Sequence, residues 1–136
     1  MKILNKIYCV ILVIGLFSSC YDRDIIDSKA SGYSMPDVVD LQYSKPLENV
    51  VVLSWKIPEN ISKDFQRPIQ VKIQMVENNI YRNLTTISEV TSYAITVNPN
   101  NQYRFIVKLC GDLLEELSEE GKTNKFFSKG KVVEIN

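Results

Sequence analysis

Residues 69–75 read Ile-Gln-Val-Lys-Ile-Gln-Met, with Ile69, Val71, Ile73 and Met75 apolar and Gln70, Lys72 and Gln74 polar between them. Strict alternation puts every second side chain on one face of an extended chain, so this stretch is a half-buried β-strand. The same period continues in both directions. Upstream, Val51, Leu53 and Trp55 share one parity and Val50, Val52 and Ser54 the other, and Pro58 closes the run because it has no N–H to give to a ladder. Downstream, Ile80 to Ile87 is a less regular strand. Tyr93, Ile95 and Val97 then alternate with Ala94 and Thr96 up to the break at Asn98-Pro99-Asn100-Asn101. Tyr103, Phe105, Val107 and Leu109 follow, opposed by Arg104, Ile106 and Lys108, while Pro36 to Tyr43 and Lys131 to Ile135 supply the first and last strands. Short alternations separated by Pro, Asn and charged turns predict an all-β sandwich of about seven strands over residues 35–136.

The composition limits what such a domain does. A chain of 136 residues holds one compact unit and an appendage, and 45% hydrophobic with 24% charged residues is ordinary for a globular domain. Sixteen Lys and Arg balance sixteen Asp and Glu, so no net field draws the chain to a phosphate backbone, and nucleic acid is not an expected partner. The sequence has no histidine, which removes the commonest general base and metal ligand. No pattern of residues calls for a cofactor or a metal ion, and no motif places two carboxylates together for catalysis. The expectation is a protein that is not an enzyme.

Two motifs resemble a known family. Val51-x-Leu53-x-Trp55-x-x-Pro58 resembles strand B of a fibronectin type III domain, and Val97-x-Pro99-x-x-x-Tyr103-x-Phe105-x-Val107 resembles its E to F corner. Ser128-x-Gly130 is similar to the family's approach to strand G. The resemblance covers residues 36–135 and implies a fibronectin type III/immunoglobulin-like β-sandwich. Trp55, Pro99, Tyr103 and Phe105 would then be structural core, with the Tyr103 hydroxyl bonded to upstream backbone near Val97. An antibody-type immunoglobulin domain fits less well, because it sets its Trp on strand C beside a disulfide. The whole chain also resembles small lipoproteins of gut Bacteroidota, a likeness that carries no activity.

The N-terminal residues supply that second resemblance. Lys2 and Lys6 precede an apolar run from Ile7 to Phe17, followed by Ser18, Ser19 and Cys20, which is signal-peptide anatomy. A spanning helix needs about twenty apolar residues, and the run is too short to be one. Small residues before a cysteine resemble the lipobox of bacterial lipoproteins, with Phe17 where the usual box has Leu. Residues 1–19 are then a signal peptide, Cys20 the lipidated mature N-terminus, residues 20–34 a flexible tether and residues 35–136 the domain. The competing reading is cleavage by the ordinary signal peptidase. Asp22, Asp24 and Asp27 resemble acidic signals that send some lipoproteins to the outer face of the outer membrane; the plainer reading is a solvated linker. Cys9 leaves with the signal, so a domain with Cys110 alone has no internal disulfide and depends on its core.

Candidate binding residues lie in the segment after the sixth strand. Asp112, Glu115, Glu116, Glu119 and Glu120 are acidic, while Leu113, Leu114 and Leu117 recur at helical spacing, so a short amphipathic helix is expected within an FG insertion, Cys110 to Lys125. It is either a recognition tip or a leucine face patching the end of the core. Tyr33, Tyr43, Phe65, Tyr81, Phe126 and Phe127 are the candidate surface rings. Phe126 and Phe127 cannot both face inward from one strand. Cys110 has the outward parity of Ile106 and Lys108, which leaves it either reactive or a quietly packed thiol. The leading expectation is a lipid-anchored module with a protein-interaction or scaffold surface; the alternative is an accessory glycan-binding module with an aromatic platform flanked by Asn, Gln or Asp. Membrane attachment is open to test directly: Cys20→Ser should move the protein from the membrane pellet to the soluble fraction, and a variant that stays tightly in the pellet refutes lipidation.

Overall fold

The computed structural model describes residues 32–136. The segment read as a signal peptide, Cys20 and the aspartates at 22, 24 and 27 lie outside the described residues. Two antiparallel sheets face each other. The smaller runs β1-β2-β5, from Val39–Leu47, Val50–Lys56 and Ser92–Thr96. The larger runs β4-β3-β6-β7, from Ile80–Ser88, Gln70–Glu77, Tyr103–Asp112 and Lys125–Phe127, and β8 (Lys131–Ile135) also pairs with β6. The fold is an all-β sandwich of the fibronectin type III kind.

Alternation decides which side chains meet between the sheets. Val51, Leu53 and Trp55 of β2, with Ile95 of β5, are buried against Val71, Ile73 and Met75 of β3 and Phe105, Val107 and Leu109 of β6. Trp55 is 3% exposed, and its indole N–H has no acceptor among the described residues, so the ring is held by packing alone. Asn78 and Asn79 take left-handed backbone angles (φ 47° and 67°) in the two-residue turn between β3 and β4, the geometry that tight hairpins require and asparagine tolerates.

The E to F crossing is closed by one hydroxyl. Tyr103 is buried, and its Oη accepts the Asn98 N–H at 2.8 Å and donates to Glu77 Oε1 at 2.8 Å. Glu77 also accepts from Asn101 Nδ2 at 2.9 Å and lies 3.5 Å from Arg82 Nε. The bonds from Asn101 and then Tyr103, with help from Arg82, hold its carboxyl below its ordinary value against the opposing effect of desolvation. Pro99, expected in the core, is exposed instead. It sits in the turn beyond the last ladder bond, where its ring has no facing sheet to pack against.

Several expectations are corrected by main-chain bonding. The amphipathic helix is a single 3-10 turn, Glu115–Leu117. The Gln66 N–H bonds to Asp112 O, the Leu113 N–H to Asn124 O and the Leu114 N–H to Asp64 O, so the backbone groups that a helix would need are already used in cross-chain pairing. Leu113 is buried and bridges to Phe65, whereas Leu114 and Leu117 are only half-buried. The last strand is β8, Lys131–Ile135, with the expected bounds, and β7, Lys125–Phe127, is a short strand before it that brings the count to eight. Ser128 keeps the pairing between them, its N–H bonding to Leu109 O at 2.8 Å and its Oγ accepting from Leu109 N at 3.0 Å. Gly130 follows at φ +98°, where an added Cβ would stand 2.9 Å from the Lys108 Cγ; only glycine passes this crossing. β1 starts and ends later than the expected Pro36 to Tyr43. It carries a bulge at Asp40 (φ 53°), and Pro46 is tolerated because β1 is an edge strand.

Two candidate surface rings are also core. Phe65 and Phe126 are 1% and 2% exposed and meet edge to face at 5.6 Å. Tyr33, placed in the tether by its sequence, packs edge to face on both, at 6.4 and 6.1 Å. Met35 and Val38 are buried beside it, so the domain's packing begins at Tyr33 and not after Ser34.

These contacts set stability. Trp55→Ala should destabilise the domain by about 3 to 5 kcal/mol in chemical denaturation; a loss under about 1 kcal/mol contradicts a packing role. Tyr103→Phe should cost about 0.5 to 1.5 kcal/mol, more if the Asn98 N–H is stranded. A carboxyl whose pKa is lowered on folding stabilises the protein above its unfolded-state value and loses that contribution as pH falls through the folded-state value. Wild type should therefore lose stability below about pH 4.5 more steeply than Glu77→Gln. Parallel acid limbs in denaturation profiles contradict the assignment to Glu77.

Candidate functional site

The outer face of the larger sheet is built in four cross-strand rows, because residues paired in register share a face. From one end they are Tyr81, Val76, Arg104 and Glu134; then Asn83, Gln74, Ile106 and Val132. Thr86, Lys72 and Lys108 form the third row, and Ser88, Gln70, Cys110 and Phe127 the fourth. A register shift between Ile73 and Gln74 places Leu84 as an extra residue in β4. A one-residue slip exchanges the two faces of a strand. Thr85 and Ile87 pair with the inward Ile73 and Val71, so unbroken alternation would turn Asn83 and Tyr81 inward too; the bulge sends both outward.

The face is mixed in chemistry. Phe127 is 42% exposed, with the Lys72 ammonium 5.6 Å from its ring centroid. Val132 is exposed beside a half-buried Ile106. Lys72 and Lys108 are direct cross-strand partners, and neither forms an ion pair among the described residues. Arg104 and Glu134 pair at 3.0 Å.

Of the residues that sequence singled out, the structure brings only some together. Phe127 lies on this face, but Phe126, one residue before it, faces the core. Asp112 lies 3.4 Å from Lys125 Nζ in an ion pair, and Glu115 and Glu116 are exposed on the 3-10 turn, apart from the rows of the sheet. No group of three acidic or cysteine side chains among the described residues could hold a metal ion. Tyr43 is exposed at the edge strand of the other sheet. Cys110 points to the outer face yet is 2% exposed, its thiol 3.8 Å from Gln70 Oε1, and burial pushes it up, away from the thiolate a nucleophile needs. Sequence reasoning passed over Lys108, Val132 and the Arg104–Glu134 pair, which meet their neighbours only through the registers of β3 and β8 on β6.

Known proteins give a fold and a family. Among solved structures the chain is similar to the rat CD45 extracellular region, domains d3-d4, with a TM-score of 0.54 and 8% identity over 76% of this chain and 49% of that one. It is also similar to FN3tt mut (TM-score 0.48, 14% identity, 74% of this chain and 93% of that one) and to a myokine (0.44, 18%, 74% and 96%). The chain spans about half of the CD45 fragment, and at such identity the likeness is one of fold alone. No curated sequence matches it. A family model matches residues 20–135, nearly the whole sequence, and on that match the chain belongs to the family described as a domain of unknown function, DUF4945.

Proposed function

We propose that the chain is a non-catalytic, lipid-anchored protein of the bacterial cell envelope, in the manner of outer-membrane lipoproteins, whose sandwich presents the outer face of its larger sheet to a protein partner. The observation that carries this reading is the Lys72–Lys108 pair beside Phe127, Ile106 and Val132. Like charges directly opposite one another on a sheet are destabilising. No carboxylate among the described residues forms an ion pair with either lysine, whereas an acidic partner surface would. Half-exposed aromatic and aliphatic groups next to such cations form the kind of centre on which interfaces depend. Anchoring rests on the sequence, in which Cys20 follows Ser18-Ser19 and the apolar run from Ile7 to Phe17. Among the described residues no helix is long and apolar enough to cross a membrane.

A photo-crosslinking amino acid placed at position 127 or 132 should give a discrete protein adduct in cells of the native host. The same group at position 48, in the turn between β1 and β2, should not. Lys72→Glu with Lys108→Glu should abolish the adduct. Equal adducts at all three positions, or none at 127 and 132, would count against this face.

A further inference from the structure

We propose that β4 is a self-association edge: two copies of this chain pair their β4 strands antiparallel about a two-fold axis, so that their larger sheets become one. The pairing goes beyond the protein-binding reading and uses none of its residues. β4 is the last strand of its sheet, Ile80–Ser88, and among the described residues its backbone pairs only with β3. The N–H and C=O groups on its far side form an open row, which another strand satisfies.

The other sheet edges carry protection that β4 lacks. β1 has two register shifts and Pro46, and β5 is only Ser92–Thr96. β7 and β8 are three and five residues long and carry Lys125, Lys131 and Glu134, and between them the Gly130 N–H is covered by Asp37 Oδ1 at 2.6 Å. Short strands, prolines, bulges and charges keep edges from pairing. β4 has nine residues, no proline and one charged side chain, Arg82, which lies 3.5 Å from Glu77. Its Ile, Tyr and Thr residues favour extended pairing. Ile80 and Arg82 stand across from Glu77 and Met75, on the inner side of the sheet, yet both are exposed. The smaller sheet therefore stops short of them and leaves room for a neighbouring strand.

The bulge at Leu84 points to a second copy as the occupant. Tyr81, Asn83, Thr86 and Ser88 face outward and Ile80, Arg82, Thr85 and Ile87 inward, because Leu84 is an extra residue. One-to-one pairing across that break keeps the two faces apart only if the partner strand has an extra residue at the same place. A second β4 supplies it. With the two-fold axis between Asn83 and Leu84, Tyr81 stands across from Thr86, Ile80 from Ile87 and Arg82 from Thr85, and each pair shares a face. Ile80 and Tyr81, 59% and 67% exposed in the single chain, thereby gain an aliphatic and a β-branched neighbour, and no charge meets a like charge. One strand pair buries little area, so association in solution is weak, with a dissociation constant on the order of 100 μM.

The test uses the full chain in cells of the native host, expressed as two copies with different tags. Each copy carries Asn83→Cys, beside the axis, and a short bismaleimide should join the two tags. Cys110 is 2% exposed and does not compete for the reagent. Copies that carry Tyr43→Cys instead, on the edge strand of the other sheet, should join about ten-fold less. Adding Tyr81→Lys and Thr86→Lys to both Asn83→Cys copies sets like charges across both outer pairs, and should lower the yield about ten-fold. Tyr81→Glu and Thr86→Glu on one copy against the two lysines on the other should restore it, and that recovery also shows that the charged variants fold. Joining at position 83 no greater than at 43, a yield indifferent to the lysines, no recovery with opposite charges, or an adduct to a different protein in place of the second tag would each overturn the proposal.

Discussion

The burial of alternate side chains between two sheets is the interaction on which this structure rests. No strand ladder joins the smaller sheet to the larger, and Cys110 is the lone thiol among the described residues, so the facing rows of Val51, Leu53 and Trp55 and of Ile73, Phe105 and Val107 hold the sheets together. Burial of this kind is non-directional and roughly proportional to apolar area. It brings the layers together without fixing their ends. The ends are fixed by directional bonds: the Tyr103 hydroxyl shared between Asn98 and Glu77 at one, and the pairing of residues 64–66 with residues 112–114 at the other.

The second end shows why an acidic, leucine-bearing insertion does not form a helix. Isolated helices this short are marginal in water, because nucleation fixes several residues for one hydrogen bond. Here the same backbone groups meet partners already held in place by Phe65, whose ring is wedged between Tyr33 and Phe126. Extending β6 to Asp112 and docking Leu113 buries an apolar side chain and satisfies the main chain together. The acidic residues are left on a solvated 3-10 turn.

The outer face of the larger sheet carries charged groups without partners among the described residues. Its two ends differ in chemistry. Unpaired lysines with Phe127 occupy one region, and the row of Tyr81, Val76 and the Arg104–Glu134 ion pair occupies the other. The opposed lysines cost stability in the free protein that an acidic partner would offset, and they stand on the rigid part of the fold, where little ordering is needed on binding.

Much of the architecture was legible in the sequence because side-chain period is a local property. Residues 50–56, 69–75 and 103–109 can bury one face only as strands, and the Trp55 and Tyr103 motifs at their spacing resemble one sandwich family. What stayed illegible depends on partners distant in the chain. Helical spacing at Leu113, Leu114 and Leu117 is real, but the competing bonds come from Asp64, Gln66 and Asn124, which no local pattern reveals. Phe65 and Tyr33 read as surface or tether because each lies in a segment without alternation; only the meeting of three separate segments buries them. The functional face was least legible of all. Tyr81 points outward because of one extra residue in β4, and Lys108 and Val132 stand among their neighbours through the registers of β3 and β8 on β6. Period-two alternation in the sequence determined the strands and their buried faces; tertiary pairing decided register, and register alone sets which exposed side chains are adjacent.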